Sequence, residues 1–395
     1  MSAIVATSAV NHRRIGRARA WLESRVLAEE VLIIGASLDA ANELARSVAE
    51  KKGAAFGWHR LTLPQLAAAL AAPVLAERKS APLSRLGGEA AVARVVHRLK
   101  AQSGLGRYKP VGETPGFARA IAAVFAELRL ASLTCNAIGE VAPDLTRLIQ
   151  AYESALAEVE LTDWPGVLNL ATEAASGRAS SHRLIKLPML LVDVPISSEA
   201  EVAFLRALAA AAPDTLAIVP RGDQPTLGRI RDVLHWKFEN LDRAPRRKDH
   251  AATEGALERL QRQLFSDHAP VLQAPPDNEV EVFSAPGESR ECVEIARRVL
   301  ALARSGSSFD RIAVLLRSPE EYRAHLQEAF ARAGIPAHFA RGAVRPDPAG
   351  RAFYSLLKCA AEGLSARRFA EYLSLAQVPD AGVGGKPPEA TARGD

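Results

Sequence analysis

VLIIGASLDAANELARSVA, residues 31–49, is the stretch around which the chain is read. Val31–Ile34 is a short apolar run that ends at Gly35. A helical repeat follows, with Leu38, Ala41, Leu44, Ala45 and Val48 on one face. Strand, glycine turn and helix is the layout of a phosphate-binding loop. A working loop of the form G-x-x-x-x-G-K-[ST], laid on Gly35, puts its second glycine on Ala40, its lysine on Ala41 and its magnesium hydroxyl on Asn42. The charge that meets the β- and γ-phosphates is therefore absent. Asp39, read as the N-cap, sets a carboxylate where the anion would sit. The stretch is either an ordinary β–α unit or a nucleotide fold without its nucleotide.

The 395 residues predict two or three domains at about 100–200 residues each. A hydrophobic share of 48% supports sizeable cores, and the net charge of +5 fits nucleic acid without requiring it. Cys135, Cys292 and Cys359 lie far apart, form no zinc or iron–sulfur spacing and predict a reducing compartment. No apolar stretch is long enough to span a bilayer, and no positive residues precede the weakly apolar Ala3–Val10. The expectation is a soluble cytoplasmic protein without metal ligands.

Arg13–Val26 reads as a basic helix leading into the strand at Val31. Phe56–Leu61 reads as a strand and Leu63–Leu70 as a helix with Pro64 in its first turn. Trp58 and His59 at that strand either stack a base and touch a phosphate or pack under the neighbouring helix. From Pro73 to Arg178 the repeat is helical throughout, over Gly88–Leu99, Phe117–Leu130 and Leu145–Val159, which predicts an all-α insertion. Its loose basic cluster, Arg94, Arg98, Lys100, Arg107 and Lys109, reads as a solvated helix end. At Leu187 the pattern changes. Met189–Val192 is a buried-type strand closed by Asp193, a helix capped by Ser197 or Ser198 covers residues 198–211, and Leu216–Val219 is a second strand. Continuous apolar strands alternating with helices predict a parallel sheet covered on both faces. Asp193 ends its strand where such sheets bind ligands, or serves as a turn aspartate. Arg243–Lys248 is a short basic run, and His268–Asn278, with its prolines, reads as a linker. A second domain is expected from Glu279, with strands near its start, at Ile312–Leu316 and at Ala337–Phe339. Its opening stretch VEVFSAPGESRECVEIARRVLALARSG reads as strand, turn and helix, further helices are expected at Glu320–Ala333, Phe353–Ala361 and Ala366–Leu375, and the tail from Val378 reads as disordered.

The second domain resembles UvrD-type superfamily 1 helicases, and within them the RecB/AddB branch. Ser284-Ala285-Pro286-Gly287-Glu288 with Glu291, then Asp310-Arg311-Ile312-Ala313-Val314-Leu315-Leu316-Arg317, then Ala333-Gly334-Ile335-Pro336 carry the likeness in order. GWHRLTLPQLAAAL and TPGFARAIAAVFAELRLA (residues 114–131) look most like the AddB-type subunit of bacterial AddAB helicase–nucleases. The resemblance covers roughly residues 18–375. It implies an α/β fold of tandem RecA-like, P-loop-NTPase-like parallel-sheet domains with an all-α insertion. The implied division is 1–72 and 181–267 for the first RecA-like domain, 73–180 for the insertion, 268–278 for the linker, 279–376 for an incomplete second RecA-like domain and 377–395 for the tail. Gly35, Ser37, Asp39, Asp193 and Arg317 then fall in a degenerate nucleotide site, with Arg317 at the position that meets the γ-phosphate in active relatives. Trp58, His59, Arg60 and Thr62 fall in the segment that touches single-stranded DNA.

The departures from the family bear on function. The loop lacks its second glycine, lysine and hydroxyl. Asp193 is followed by Val194 and Pro195, so the carboxylate that acts as base is missing. The later helicase motifs, the PD-(D/E)xK nuclease and the iron–sulfur cysteines have no counterpart, and Glu77-x-Lys79 lacks the upstream aspartate. The expectation is a catalytically inactive helicase-like DNA-binding scaffold of double-strand-break repair. ATP and Mg²⁺ are cofactors of active relatives only, and DNA ends and an AddA-type motor subunit are the implied partners. The alternatives are the N-terminal part of an ATP-dependent helicase/exonuclease and a protein-interaction module with no DNA role.

Overall fold

The computed structural model describes residues 2–26, 28–178, 182–243, 255–264, 279–340 and 348–375. The tail beyond 375, most of the basic run after Arg243 and the linker at 268–278 lie outside the described residues. The chain divides into two units, residues 1–280 and 281–395.

The first unit opens with a strand the sequence did not announce, β1 (Ser2–Ser8), followed by α1 (Asn11–Glu23). Next come β2 (Val31–Gly35), α2 (Leu38–Lys52), β3 (Trp58–Thr62) and α3 (Leu63–Glu77). Proline in the first turn and a capping box between Thr62 and Gln65 start α3. After the insertion described below, α8 (Trp164–Ala175), β6 (Met189–Val192), α9 (Glu199–Ala211) and β7 (Asp214–Pro220) return to the sheet. α10 (Gln224–Arg229) and β8 (Lys237–Asn240) follow, and α11 (Ala256–Gln263) is the last helix among the described residues of the unit. Ser198 is the residue that caps α9, through a capping box with Glu201.

The sheet has six strands in the order β3-β2-β6-β7-β1-β8, and every pairing is parallel. Strand residues alternate between its two faces. Leu32, Ile34, Met189, Leu191, Ala217 and Val219 pack with α3, α8 and α9, while Val31, Ile33, Leu190, Val192, Leu216 and Ile218 pack with α1 and α2. Both faces are covered, which explains why β2, β6 and β7 read as unbroken apolar runs rather than alternating ones.

The insertion comprises α4 (Arg85–Ala101), α5 (Phe117–Leu130), α6 (Cys135–Val141) and α7 (Pro143–Glu158). It has its own core, in which Val92, Val95, Phe125, Leu148, Ile149 and Tyr152 are buried. Two-residue strands, β4 (Ala81–Pro82) and β5 (Leu161–Thr162), pair in parallel where the chain enters and leaves it. They interrupt a block that the sequence read as wholly helical. α8 lies inside the block expected to be insertion, yet it packs on the sheet face with α3 and α9.

The second unit holds α12 (Glu288–Arg304), α13 (Pro319–Ala333), α14 (Pro348–Ala361) and α15 (Ala366–Leu375). Cys292, Ala296, Val299, Leu326, Phe330 and Ile335 form its core. α13 stops at Gly334, whose φ of 64° is left-handed, as the Gly-Ile-Pro sequence predicts. The strands expected near Glu279, at Ile312–Leu316 and at Ala337–Phe339 are not present. Ile312 is extended, but no ladder pairs it among the described residues. Ile312 and Leu316 lean on the helical core while Leu315 is 93% exposed. An apolar run shows a preference for extended backbone, but a strand also needs a partner to hydrogen-bond. The architecture shown is thus one α/β unit on a parallel six-stranded sheet, and a helical second unit.

Candidate functional site

Because all six strands run the same way, their carboxyl ends form one edge. Between β2 and β6 the connections diverge. β2 leads through α2 to β3 on one side, and β6 leads through α9 to β7 on the other, with α2 and α9 on opposite faces. That divergence is the topological switch at which open α/β sheets take ligands.

On the β2 side, the Gly35 turn is tight. A Cβ built there lies 2.5 Å from the Ser37 carbonyl oxygen, so glycine is needed for close approach rather than for an unusual φ. Ser37, not Asp39, caps α2, its hydroxyl accepting from the Ala40 amide at 3.2 Å. Asp39 lies exposed in the first turn, and Ser37 already stands at the spacing from which its oxygen reaches the free amides.

On the β6 side, Asp193 takes a left-handed φ of 49°, a conformation aspartate tolerates better than most residues. Its carboxylate is bonded from α1. Arg14, on the first turn of α1, donates to it from Nε at 3.2 Å and from Nη2 at 3.4 Å. Arg14 also donates to the Ser8 carbonyl at 2.8 Å and to Asn11 Oδ1 at 3.2 Å, and only 6% of it is exposed. A buried guanidinium thus occupies the space beside the strand-end carboxylate that the resemblance placed in the degenerate nucleotide site.

A second ion-pair cluster stands next to it. Asp242, just beyond β8, accepts from the Ser8 hydroxyl at 2.5 Å, the Ala9 amide at 3.3 Å and Arg13 Nη1 at 3.1 Å, and Arg221 Nη1 lies 3.6 Å away. Burial by itself would raise the Asp242 carboxyl. The Ser8 hydroxyl, the Ala9 amide and the Arg13 guanidinium outweigh it and hold the group below the ordinary carboxylate range. The two clusters have one electrostatic logic. Arg13 and Arg14 sit at the positive end of the α1 dipole, where cations are unfavourable, and each is neutralised by a carboxylate from another strand end. Neither was found from the sequence, because β1 was not read as a strand. The available signal was the short apolar run Ile4–Ala6 followed by a helix with paired arginines in its first turn.

The residues expected at DNA are separated by their burial. Trp58 is 9% exposed and packs against α1 and α2, so its ring offers no face to a base. His59 bonds Glu30 at 3.0 Å, and the Thr62 hydroxyl is committed to capping α3. Arg60 is exposed on β3, at the edge of the sheet. In the insertion, Arg98 pairs with Glu158 and Lys100 with Glu113, the solvated helix face that was expected. Arg317 is exposed in the second unit, just before α13. Among the described residues no group of three or more His, Cys, Asp or Glu is arranged to hold a metal, and no helix is long and apolar enough to cross a membrane.

No protein-family model matches the sequence, and no curated protein matches it significantly.

Proposed function

We propose that this chain is a catalytically silent, helicase-like module that holds DNA and docks a motor subunit of AddA type during double-strand-break repair, with its two units descended from tandem RecA-like domains. The observation that carries the silence is the Arg14–Asp193 pair. Phosphoryl transfer relies on a lysine and a metal-bound carboxylate aimed at the phosphates. Here neither the β1–α1 turn nor the β2–α2 turn contains a lysine, and the carboxylate beside them is neutralised by the chain's own arginine. DNA holding rests on the resemblance, the net charge of +5 and the exposed Arg60 at the sheet edge. Trp58 takes no part in it.

The experiment is a titration of fluorescent single-stranded DNA at two salt concentrations, with and without ATP and Mg²⁺. The expected result is binding that weakens with salt and ignores ATP, with Arg60→Ala lowering the salt slope by about 1. Absence of binding at low salt removes the DNA role and leaves an interaction module. Release or hydrolysis driven by ATP removes the silence.

A further inference from the structure

The donors gathered at Asp242 are of the kind that bind phosphate. They are a loop amide (Ala9), a hydroxyl (Ser8) and two guanidiniums (Arg13 and Arg221), contributed by the end of β1, the start of α1 and the end of β7. All four converge on one carboxylate, which arrives from a different strand end, β8, and is 10% exposed. The Ser8 hydroxyl is further oriented by the Val10 amide, which donates to it at 2.9 Å. That bond leaves the Ser8 hydrogen free to point at the anion. A carboxylate offers two acceptor oxygens. A phosphate group offers three or more in a similar volume and makes stronger paired contacts to guanidinium.

We propose that the Ser8–Ala9–Arg13–Arg221 cradle is a seat for the phosphate group of a nucleotide or of a nucleic-acid backbone, and that the Asp242 carboxylate occupies it as an intramolecular stand-in. The device shuts the site without removing its donors. In the wild-type chain the tethered carboxylate outcompetes a free anion, because its effective concentration is fixed by the fold. Displacing Asp242 leaves Arg13, at the positive end of α1, with Glu258 at 3.4 Å as its remaining carboxylate and takes from Arg221, just after β7, the carboxylate 3.6 Å away, so an anion placed there offsets both guanidiniums. The seat is distinct from the Arg14–Asp193 pair, which remains closed in either state. It also does not depend on the chain's binding DNA in its wild-type form.

The test uses the full chain and inorganic phosphate, read as the thermal midpoint against chloride at equal ionic strength. Wild type is expected to respond to phosphate no more than to chloride. Asp242→Ala is expected to melt lower and to recover with phosphate in a saturable way, by about 5 °C at a hundredfold excess over Kd. Adding Arg13→Ala to it should abolish the recovery. ATP without metal and a short single-stranded oligonucleotide then separate the two sources, since the true source competes for the same recovery. A response to inorganic phosphate with none to either ester would mean an adventitious ion only and would overturn the proposal. If Asp242→Ala does not fold in chloride, folding rescued by phosphate supports the seat. Asp242→Asn supplies the second variant, because it keeps the shape and removes the charge. An Asp242→Asn chain that folds and ignores phosphate, or variants that fold in neither salt, would refute it. Wild-type DNA binding is read in a separate assay, so either result can stand without the other.

Discussion

At the scale of single residues, the carboxyl edge of the sheet is held by charge pairs that cross between strand ends. Arg14 is the clearest case. Arg14→Ala removes a bidentate contact and the donor to the Ser8 carbonyl, but it leaves Asp193 28% exposed and able to recover water. The loss should therefore be about 2 kcal/mol, below the figure for a fully buried pair. Lysine at the same position should restore only part of it, because an ammonium cannot reproduce the planar fork. Urea denaturation of the two variants checks both statements, and equal stability of alanine, lysine and wild type would show that the pair contributes nothing. Asp242 adds a pH dependence whose sign follows from its lowered pKa. A carboxylate held below its unfolded value stabilises the fold at every pH above the ordinary aspartate range. That stabilisation is lost as pH falls through the lowered folded value. Acid unfolding should accordingly be steeper in wild type than in Asp242→Asn, where the linked proton is gone.

At the scale of elements, the neck between sheet and insertion depends on one residue. Asp163 caps α8 through the Gly166 amide at 3.1 Å, accepts from Arg129 Nη2 at 3.2 Å and from the Tyr152 hydroxyl at 3.4 Å, and is 8% exposed. It therefore ties α5 and α7 of the insertion to the helix that packs on the sheet. Burial, and secondarily the Asp163 charge, push the Tyr152 hydroxyl well above its usual range, so it remains a donor across the working pH range. Asp163→Ala should cost about 3 kcal/mol, combining a lost cap with an uncompensated Arg129. By comparison, Thr62→Ala, which loses only the capping box of α3, should cost about 1 kcal/mol. A cycle of urea melts that finds the two equal would show that the neck network is ornamental. The elements also show what the sequence could convey. β2, β6 and β7 were legible because strands covered on both faces must be apolar throughout, and α4, α5 and α7 because their apolar face repeats at helical spacing. β1 was not legible. It pairs on both edges, with β7 and β8, yet it is built largely from Ala, Ser and Thr, so its strand character lies in ladder partners more than 200 residues away. The error at Ile312–Leu316 is the converse, an apolar run without a ladder among the described residues. The candidate site was half legible for the same reason. Asp193 was marked by its strand, while Arg14 and Asp242 become neighbours of that edge only once β1 is placed.

At the scale of the molecule, the two units differ in how much apolar surface they remove from water. The first has a two-faced sheet core and a separate insertion core. Among the described residues the second has one small core, and it leaves Val282 92%, Leu315 93% and Phe353 63% exposed. Stability scales with apolar area buried, and a small unit with a large exposed fraction is the marginal one. The second unit should therefore lose structure first on heating, before the first unit responds. The chain carries its own probe for this, because all four tryptophans, Trp21, Trp58, Trp164 and Trp236, lie in the first unit. Tryptophan fluorescence reports that unit alone, whereas far-ultraviolet circular dichroism sums the helices of both. In a thermal or urea melt, ellipticity should begin to fall while fluorescence is still native, and limited proteolysis in that interval should cut within α12–α15 and spare β1–β8. Coincident transitions by both probes would mean that the units unfold as one cooperative body, and the marginal second unit would have to be abandoned. Separate transitions would in turn make the Asp163 and Arg14 variants readable by fluorescence alone, since both act within the unit that holds the tryptophans.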